Sequence, residues 1–568
     1  MKFPGLLALG FSGIAVVLGL SPLWLPAPRP SDAPPTEFSA ERAWQHVRAI
    51  AKSPHPSGTE ENQRVRGYLK EEMSRLGLLV RELPGEQGGT RLVNLYGELA
   101  GSESGPPAIL LVSHYDSVPT GPGAADCASG VATLLETLRA LQAGGPVKNS
   151  IALLLTDGEE LRDTGAQAFI RDHPELWREV RVVLNLEARG NRGPVLMFET
   201  SPGPGRLIAE LSKRCEFPIG CSWSREVYRR LPNDTDFTEF RKAGCAGMNF
   251  AFIGGLEYYH SPWDTPENLS QRTLQHYGSI LLPLAAGLAK TDPGNLAQLK
   301  NGGEATYFPL WRGCLIRYPQ MLGDILVWVT LALFVFALWR QRRLLRVGRV
   351  LGSLVVTVLS LCLCVAIGFL GLKLLRWRYH PAGGGVFVVG LPHEEAYLVV
   401  MAVVAAGLTV GLNSWLLRRL RTGERLVGAL VPWVGLTLLS AWQAPGAAYL
   451  FLWPSFFGIV ALSFPANNLS AVQTVLRATL VGMPAPLLFA GTLYIINQAV
   501  TIGSAPASMG LVALGFSLVC GLGLRAPRPT QSPNCDTPDR YMDTAQASSV
   551  SPPPSCERPP LALSQSRE

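Results

Sequence analysis

The feature that most constrains this chain is the series of apolar segments in its second half. Roughly seven stretches of spanning length follow one another, at about 323–339, 350–372, 396–417, 427–443, 446–463, 475–497 and 505–524. A helix that is apolar on every side has no face for water and belongs inside a bilayer or a large core. An all-α multi-pass membrane domain over 323–524 is therefore expected. The fourth and fifth stretches are separated only by Gln443-Ala444-Pro445-Gly446, a tight-turn signal. Few charged residues fall inside the stretches, which argues against a transport pathway. Composition agrees: 47% of residues are apolar and 16% charged, too apolar a balance for an ordinary soluble protein.

Another apolar run, about Gly5 to Leu25, opens the chain and is read as an uncleaved membrane anchor over 1–25. Prolines 26, 28 and 30 follow it where a signal peptide would show a small-x-small cleavage site. Residues 26–36 read as an extended linker, and the Pro/Ser-rich tail 525–568 as disordered. The net charge of +7 gathers beside the apolar runs, as in Arg340, Arg342, Arg343, Arg346 and Arg349, and again in Arg418, Arg419, Arg421 and Arg425. Such clusters are membrane flanks and give no footprint for nucleic acid. Both loops are cytoplasmic by the positive-inside rule, and two spans between them keep them on one side. Counting back one span puts the polar first half on the non-cytoplasmic side, although Lys373, Arg376 and Arg378 run against the rule. The excess of arginine over lysine favours a bacterial inner membrane and periplasm; an endoplasmic reticulum or vacuolar membrane is the alternative.

Residues 37–293 read as an α/β domain, followed by a connector over 294–322. Apolar spacing predicts helices over 41–52 and 61–77. Strands over 108–113, 151–156, 180–186, 195–199 and 247–253 then alternate with helices over 129–141, 166–172 and 271–288. Unbroken apolar strands alternating with helices imply a mainly parallel sheet covered on both faces.

The chemistry-bearing residues collect where these strands end. The first strand runs into His114-Tyr115-Asp116, with Asp126 following just before a helix. The next ends in Asp157-Gly158-Glu159-Glu160, the third in Glu187-Ala188-Arg189-Gly190, and Tyr258-Tyr259-His260 closes the domain. Ligand-binding groups of an open α/β sheet gather at the carboxyl ends of its strands. Two histidines and three carboxylates suit zinc, and the short Asp126 side chain at a helix start could bridge two ions about 3.5–4 Å apart. Five ligands with one bridge would leave open positions on each ion, as a catalytic site requires. A lone histidine at a strand end is more often structural; the carboxylates recurring at the other strand ends reverse that balance here. Glu187 at the end of an apolar strand would be costly without a partner, which a metal would supply.

These motifs, with Ser53-Pro54-His55-Pro56-Ser57-Gly58 and Val65-Arg66-Gly67-Tyr68-Leu69, resemble the di-zinc aminopeptidases of the bacterial leucyl aminopeptidase and aminopeptidase Y type. They resemble above all the membrane-bound branch, the endoplasmic reticulum metallopeptidases and vacuolar membrane proteases. The resemblance covers about residues 40–290. It implies a zinc metallo-exopeptidase acting on peptides, with membrane lipids around it and two Zn2+ ions. One ion would be held by His114, Asp126 and Glu187, the other by Asp126, Glu160 and His260. It implies Glu159 as general base, Asp116 as hydrogen-bond partner to the far nitrogen of His114, and Tyr259 as oxyanion stabiliser. Cys127 stands where the family often has asparagine, which puts the fine positioning of Asp126 in question.

Two other functions are compatible with this pattern: a glutaminyl cyclase-like enzyme, which needs one zinc, and a metal-free membrane scaffold, which would be expected to have lost ligands. No CxxC pair occurs among the ten cysteines; Cys215 and Cys221 are read as buried thiols, with a disulfide between them as the alternative. His55 is read as a structural feature of its motif, and His46, His173 and His276 as surface or core residues. His380 and His393 beside Glu394 and Glu395 are a weak candidate for a further metal site.

Overall fold

A computed structural model describes residues 4–523 apart from 88, 104, 380–390, 392, 393 and 466–468. His380, His393 and the tail 525–568 lie outside the described residues. The α/β domain is built on a seven-stranded sheet: β1 (Arg81–Gln87), β2 (Thr90–Leu99), β3 (Ile109–His114), β4 (Ile151–Thr156), β5 (Val182–Ala188), β6 (Arg192–Thr200) and β7 (Gly247–Gly254). Their order across the sheet is β1-β2-β4-β3-β5-β7-β6. The four central strands β4, β3, β5 and β7 are parallel, while β1, β2 and β6 are antiparallel to their neighbours. The expected parallel sheet is thus its centre, with antiparallel flanks.

Strands β3, β4 and β5 are buried along their whole length, as unbroken apolar runs require. Alternate side chains feed two cores. Ile109, Leu111, Leu153 and Leu184 pack with Val131, Leu135, Tyr277 and Ile280 from helices Gly130–Ala143 and Gln271–Ala289. Leu110, Val112, Leu154 and Val183 pack with Phe169, Phe237 and Phe240 from helices Thr164–Asp172 and Asp236–Lys242 on the other face. Each such side chain contributes about 1.5–3 kcal/mol by leaving water. The helices begin on good caps: Ser39, Thr59 and Ser270 side chains accept from the third residue beyond them.

The segment read as a connector holds a second, two-stranded sheet, β8 (Ala305–Trp311) and β9 (Cys314–Pro319). It joins the α/β domain to the helical half: Phe308 stacks on Tyr449 with centroids 4.2 Å apart, and the Ser222 hydroxyl donates to Gly446 O at 2.6 Å.

Among the described residues, six helical stretches are long and apolar enough to cross a membrane: Pro4–Leu23, Gln320–Gln341, Val347–Tyr379, Glu394–Leu416, Thr422–Gln443 and Ala471–Gly521. The fifth expected run forms a shorter apolar helix, Tyr449–Leu462. The sixth and seventh form one continuous stretch, broken around Met483 and Thr501–Ser504. The N-terminal helix packs into this bundle rather than standing apart. The Ser12 hydroxyl donates to Gly482 O at 2.8 Å, and a Cβ on Gly482 would lie only 2.4 Å from Ala8 O.

Candidate metal centre

Because β4, β3, β5 and β7 run parallel and adjacent, their carboxyl ends open on one place. His114 closes β3, Glu159 and Glu160 follow β4, Glu187 lies near the end of β5, and Tyr259-His260 follow β7. Asp126 lies in the turn that starts helix Gly130–Ala143, and its peptide bond to Cys127 is cis. All five expected metal ligands converge. His114 Nε2 is 3.2 Å from Asp126 Oδ1 and 3.6 Å from Glu187 Oε2. His260 Nε2 is 3.2 Å from Asp126 Oδ2 and 3.2 Å from Glu160 Oε2. The two oxygens of one carboxylate therefore face two different histidines. His114 is fully buried, whereas the His260 side chain is 38% exposed, so the site opens at that end.

The loops that carry these groups are held by carboxylates binding main-chain N–H groups. Asp116 accepts from Glu159 N at 3.2 Å and Glu160 N at 3.3 Å. Asp264 accepts from Ala125 N at 2.7 Å and Asp126 N at 3.2 Å. Asp157 accepts from Val93 N at 2.9 Å, Ser57 Oγ at 2.7 Å and Asn62 Nδ2 at 3.2 Å, which ties the Ser53–Gly58 motif to the site. His55 belongs to the same support, its N–H donating to Ser117 Oγ at 2.8 Å. Gly158 has φ 88°, and a Cβ there would meet Thr164 Oγ1 at 2.6 Å, so only glycine suits the turn before Glu159.

Asp116 stands beside His114 as expected, but differently in detail. His114 Nδ1 lies 3.1 Å from the Asp116 carbonyl oxygen and 3.5 Å from its carboxylate. The carboxylate is engaged by the Glu159-Glu160 turn. Tyr259 stacks on His260 with centroids 3.8 Å apart. Burial, and then Asp126, Glu159, Glu160 and Glu187, raise its hydroxyl pKa, so it remains a proton donor. Cys127 Sγ lies among the donors of the first group, yet its thiol donates to Leu186 O at 3.3 Å and accepts from Ser113 Oγ at 3.2 Å. Burial pushes that thiol up to about 11. Cys215 and Cys221 are separate buried thiols, the former donating to Ile280 O at 3.3 Å.

The residues fit a bound cation. Donor atoms of His114, Asp126, Cys127 and Glu187 lie within 4.8 Å of one another, as do those of Asp126, Glu160 and His260. Glu160 Oε1 is buried with no hydrogen-bond partner. Among the described residues, Asp126, Glu160 and Glu187 form ion pairs only with the two histidines. Buried carboxylates without compensation cost several kcal/mol each. The pocket accordingly draws protons. Burial opposes protonation of His114, but Glu159 and the contacts with Asp116 and Asp126 hold its pKa well above the usual value. Burial likewise lowers His260, while Asp126 and Glu160 bring it up to about 10. Burial, reinforced by Glu187, Asp236 and Glu160 against the pull of His114, raises Glu159 well above an ordinary carboxyl.

Two further acids near the site carry no mark in the sequence. Asp236 is wholly buried and accepts from Thr156 Oγ1; burial, Asp163 and Glu187 hold its pKa well up. Burial, then Glu187, brings Asp163 to about 7. Asp236 lies just after Asn233-Asp234-Thr235, a triplet that reads from the sequence as a glycosylation pattern; the one local signal of Asp236 is the Phe237 that follows it.

At the strand ends, two histidines thus stand around a shared carboxylate, a donor set that suits metal ions. Residues 94–285 match the model of Peptidase family M28, which bears out the resemblance seen in the motifs. The chain is similar to Endoplasmic reticulum metallopeptidase 1 of Mus musculus, 30% identical over 260 residues, or 45% of this chain and 28% of that protein. It is also similar to the Vacuolar membrane protease of Clavispora lusitaniae, 30% identical over 257 residues, or 41% of this chain and 25% of that protein. The chain thus spans only about a quarter of the length of these relatives. Among solved structures, a zinc aminopeptidase from Bacillus subtilis aligns at 15% identity and a TM-score of 0.37, over 45% of this chain and 96% of that one. A glutaminyl cyclase from Porphyromonas gingivalis aligns at 19% identity and the same TM-score, over 44% of this chain and 98% of that one.

Proposed function

We propose that this chain is a membrane-bound zinc metallopeptidase that removes N-terminal residues from peptides, using two zinc ions. The observation that carries the reading is Asp126, whose two oxygens each face a different histidine at 3.2 Å. His114, Asp126 and Glu187 would hold one ion, and Asp126, Glu160 and His260 the other. Zinc bound there would supply Lewis-acid polarisation of the scissile carbonyl and make water acidic enough to attack near neutral pH. Glu159 takes a proton from the attacking water on its carboxylate and returns it to the leaving amine. The Tyr259 hydroxyl donates to the carbonyl oxygen as charge builds there. The opening beside His260 admits the peptide, while burial of His114 keeps bulk water from the far end. The arginine-rich loops 340–349 and 418–425 support a place for the domain on the non-cytoplasmic side.

The test is zinc analysis of the detergent-purified full chain with a panel of aminoacyl and dipeptide substrates, on wild type and Glu159→Gln. Wild type should hold two zincs and hydrolyse the panel. Glu159→Gln should keep both zincs and KM while kcat falls by about 10²–10⁴-fold. Near wild-type turnover in that variant removes Glu159 from the role; a zinc-loaded wild type that hydrolyses none of the panel removes the peptidase reading.

A further inference from the structure

A line of buried polar side chains leaves the metal centre in the direction away from substrate. Asn185 on β5 stands in register with Asn249 on β7, and Asn249 stands in register with Glu199 on β6. The second pairing depends on a register shift between Met197 and Glu199. The three residues are at most 1% exposed. Asn185 Nδ2 donates to Glu187 Oε1 at 3.0 Å and to Asn249 Oδ1 at 3.0 Å. Asn249 Nδ2 donates to Glu199 Oε2 at 3.2 Å and to Thr235 Oγ1 at 2.9 Å. Glu199 Oε1 in turn forms an ion pair, without hydrogen-bond geometry, with Arg241 Nε at 3.0 Å, on a side chain 31% exposed.

The line has a direction. A carboxylate only accepts, so Glu199 turns the Asn249 amide nitrogen toward itself and the Asn249 oxygen toward Asn185. That oxygen then claims the Asn185 nitrogen, and the same nitrogen faces Glu187. We infer that Asn185, Asn249 and Glu199 are a positioning relay that ties back one oxygen of Glu187 and leaves Oε2 turned to His114, with Arg241 setting its polarity from the surface. Packing alone is a poor account of the arrangement. Apolar residues of similar size would fill the same space, and Asn185 Oδ1 is left buried with no partner, which is unfavourable. Holding a ligand carboxylate in one orientation explains why that penalty is tolerated.

The inference rests on the metal reading above, and the test separates the two. Zinc affinity of the detergent-solubilised full chain is measured by competition with a chromophoric chelator, alongside the apparent unfolding temperature in excess chelator. Asn185→Leu should weaken one of the two zincs by about 10–100-fold and leave the other. Glu199→Leu should act in the same direction, and Glu199→Gln should restore the affinity, because its amide oxygen still accepts from Asn249. The unfolding temperature of the metal-free protein should not follow these affinities; a purely structural role would lower it and leave zinc binding alone. Where Asn185→Leu fails to fold, the two Glu199 variants decide. Wild-type affinity at both sites in folded Glu199→Leu overturns the relay and leaves the metal reading standing. A wild type that binds no zinc overturns both.

Discussion

Asp126→Asn is the sharpest perturbation of the proposed centre, because it changes charge and almost nothing else. Burial works to raise the Asp126 carboxyl, yet hydrogen bonds from His114 and His260 hold its pKa below the ordinary value, so it is the anion that the site uses. The variant should fold, since the turn is clamped through Ala125 N and Asp126 N, which the substitution leaves in place. Removing one partner from a buried ionic cluster costs about 3–5 kcal/mol. At a factor of ten per 1.4 kcal/mol, that is about 10²–10⁴ in affinity. The loss must fall on both ions, because Oδ1 and Oδ2 serve different histidines at the same 3.2 Å. His114→Ala and His260→Ala, each removing a ligand from one ion, should lower zinc content by one. The assay is elemental analysis of protein equilibrated in a buffered free-zinc series. An Asp126→Asn protein that keeps one zinc at wild-type affinity would show that Asp126 serves a single ion, and the shared-carboxylate reasoning would fail.

The Asp264 clamp gives a second expectation: Asp264→Ala strips two buried N–H groups of their acceptor and should cost about 2 kcal/mol or more, lowering the unfolding temperature by about 4–8 °C, as differential scanning fluorimetry would report. His276 should make the α/β domain acid-sensitive. Its neutral ring accepts from Val195 N at 3.0 Å and donates to Phe217 O at 3.1 Å, and burial lowers its pKa to about 4. The unfolded chain, with a pKa near 6.5, binds the proton first as pH falls, so this stability is whole above about 6.5 and drains away down to about 4. By pH 5 the loss is about 2 kcal/mol. His276→Gln should flatten the unfolding temperature between pH 7 and pH 5, and an unchanged slope would refute the assignment. Single cysteines at Lys242 and Arg343 test the orientation: an impermeant maleimide should label the first from outside and the second only after lysis, and the opposite pattern would invert the topology.

Strands β3, β4 and β5 were legible because helices cover them on both faces, which writes burial into every residue of the run. β1 was not legible, since an edge strand reading Arg-Glu-Leu-Pro-Gly-Glu-Gln carries no alternation and includes the residues that usually end strands. The β8–β9 hairpin hid for another reason. Its buried apolar residues are divided between two bodies, Ala305, Tyr307 and Leu315 packing in the α/β core and Phe308 on Tyr449 of the helical half, so nothing within its own sequence explains them.

At the site, sequence reached the side chains that face the centre and missed those that hold it. A carboxylate at the end of an apolar strand is conspicuous, and so is a histidine beside it. What the acids then do depends on which donors the folded chain brings to them. Asp116 and Asp264 each receive two main-chain N–H groups from a loop distant in sequence, Asp157 receives one from strand β2, and all three are thereby committed as anchors. This is why the Asp116 carboxylate, expected to serve His114, leaves the closest contact with that ring to its own carbonyl oxygen. Asp126 and Glu160 face histidine nitrogens, while Glu187 faces His114 on one oxygen and the Asn185 amide on the other. Main-chain donors satisfy an acid locally; histidine nitrogens around buried carboxylates leave it short of positive charge. That distinction, which no spacing of residues reveals, separates the acids that build the pocket from the acids that a cation would complete.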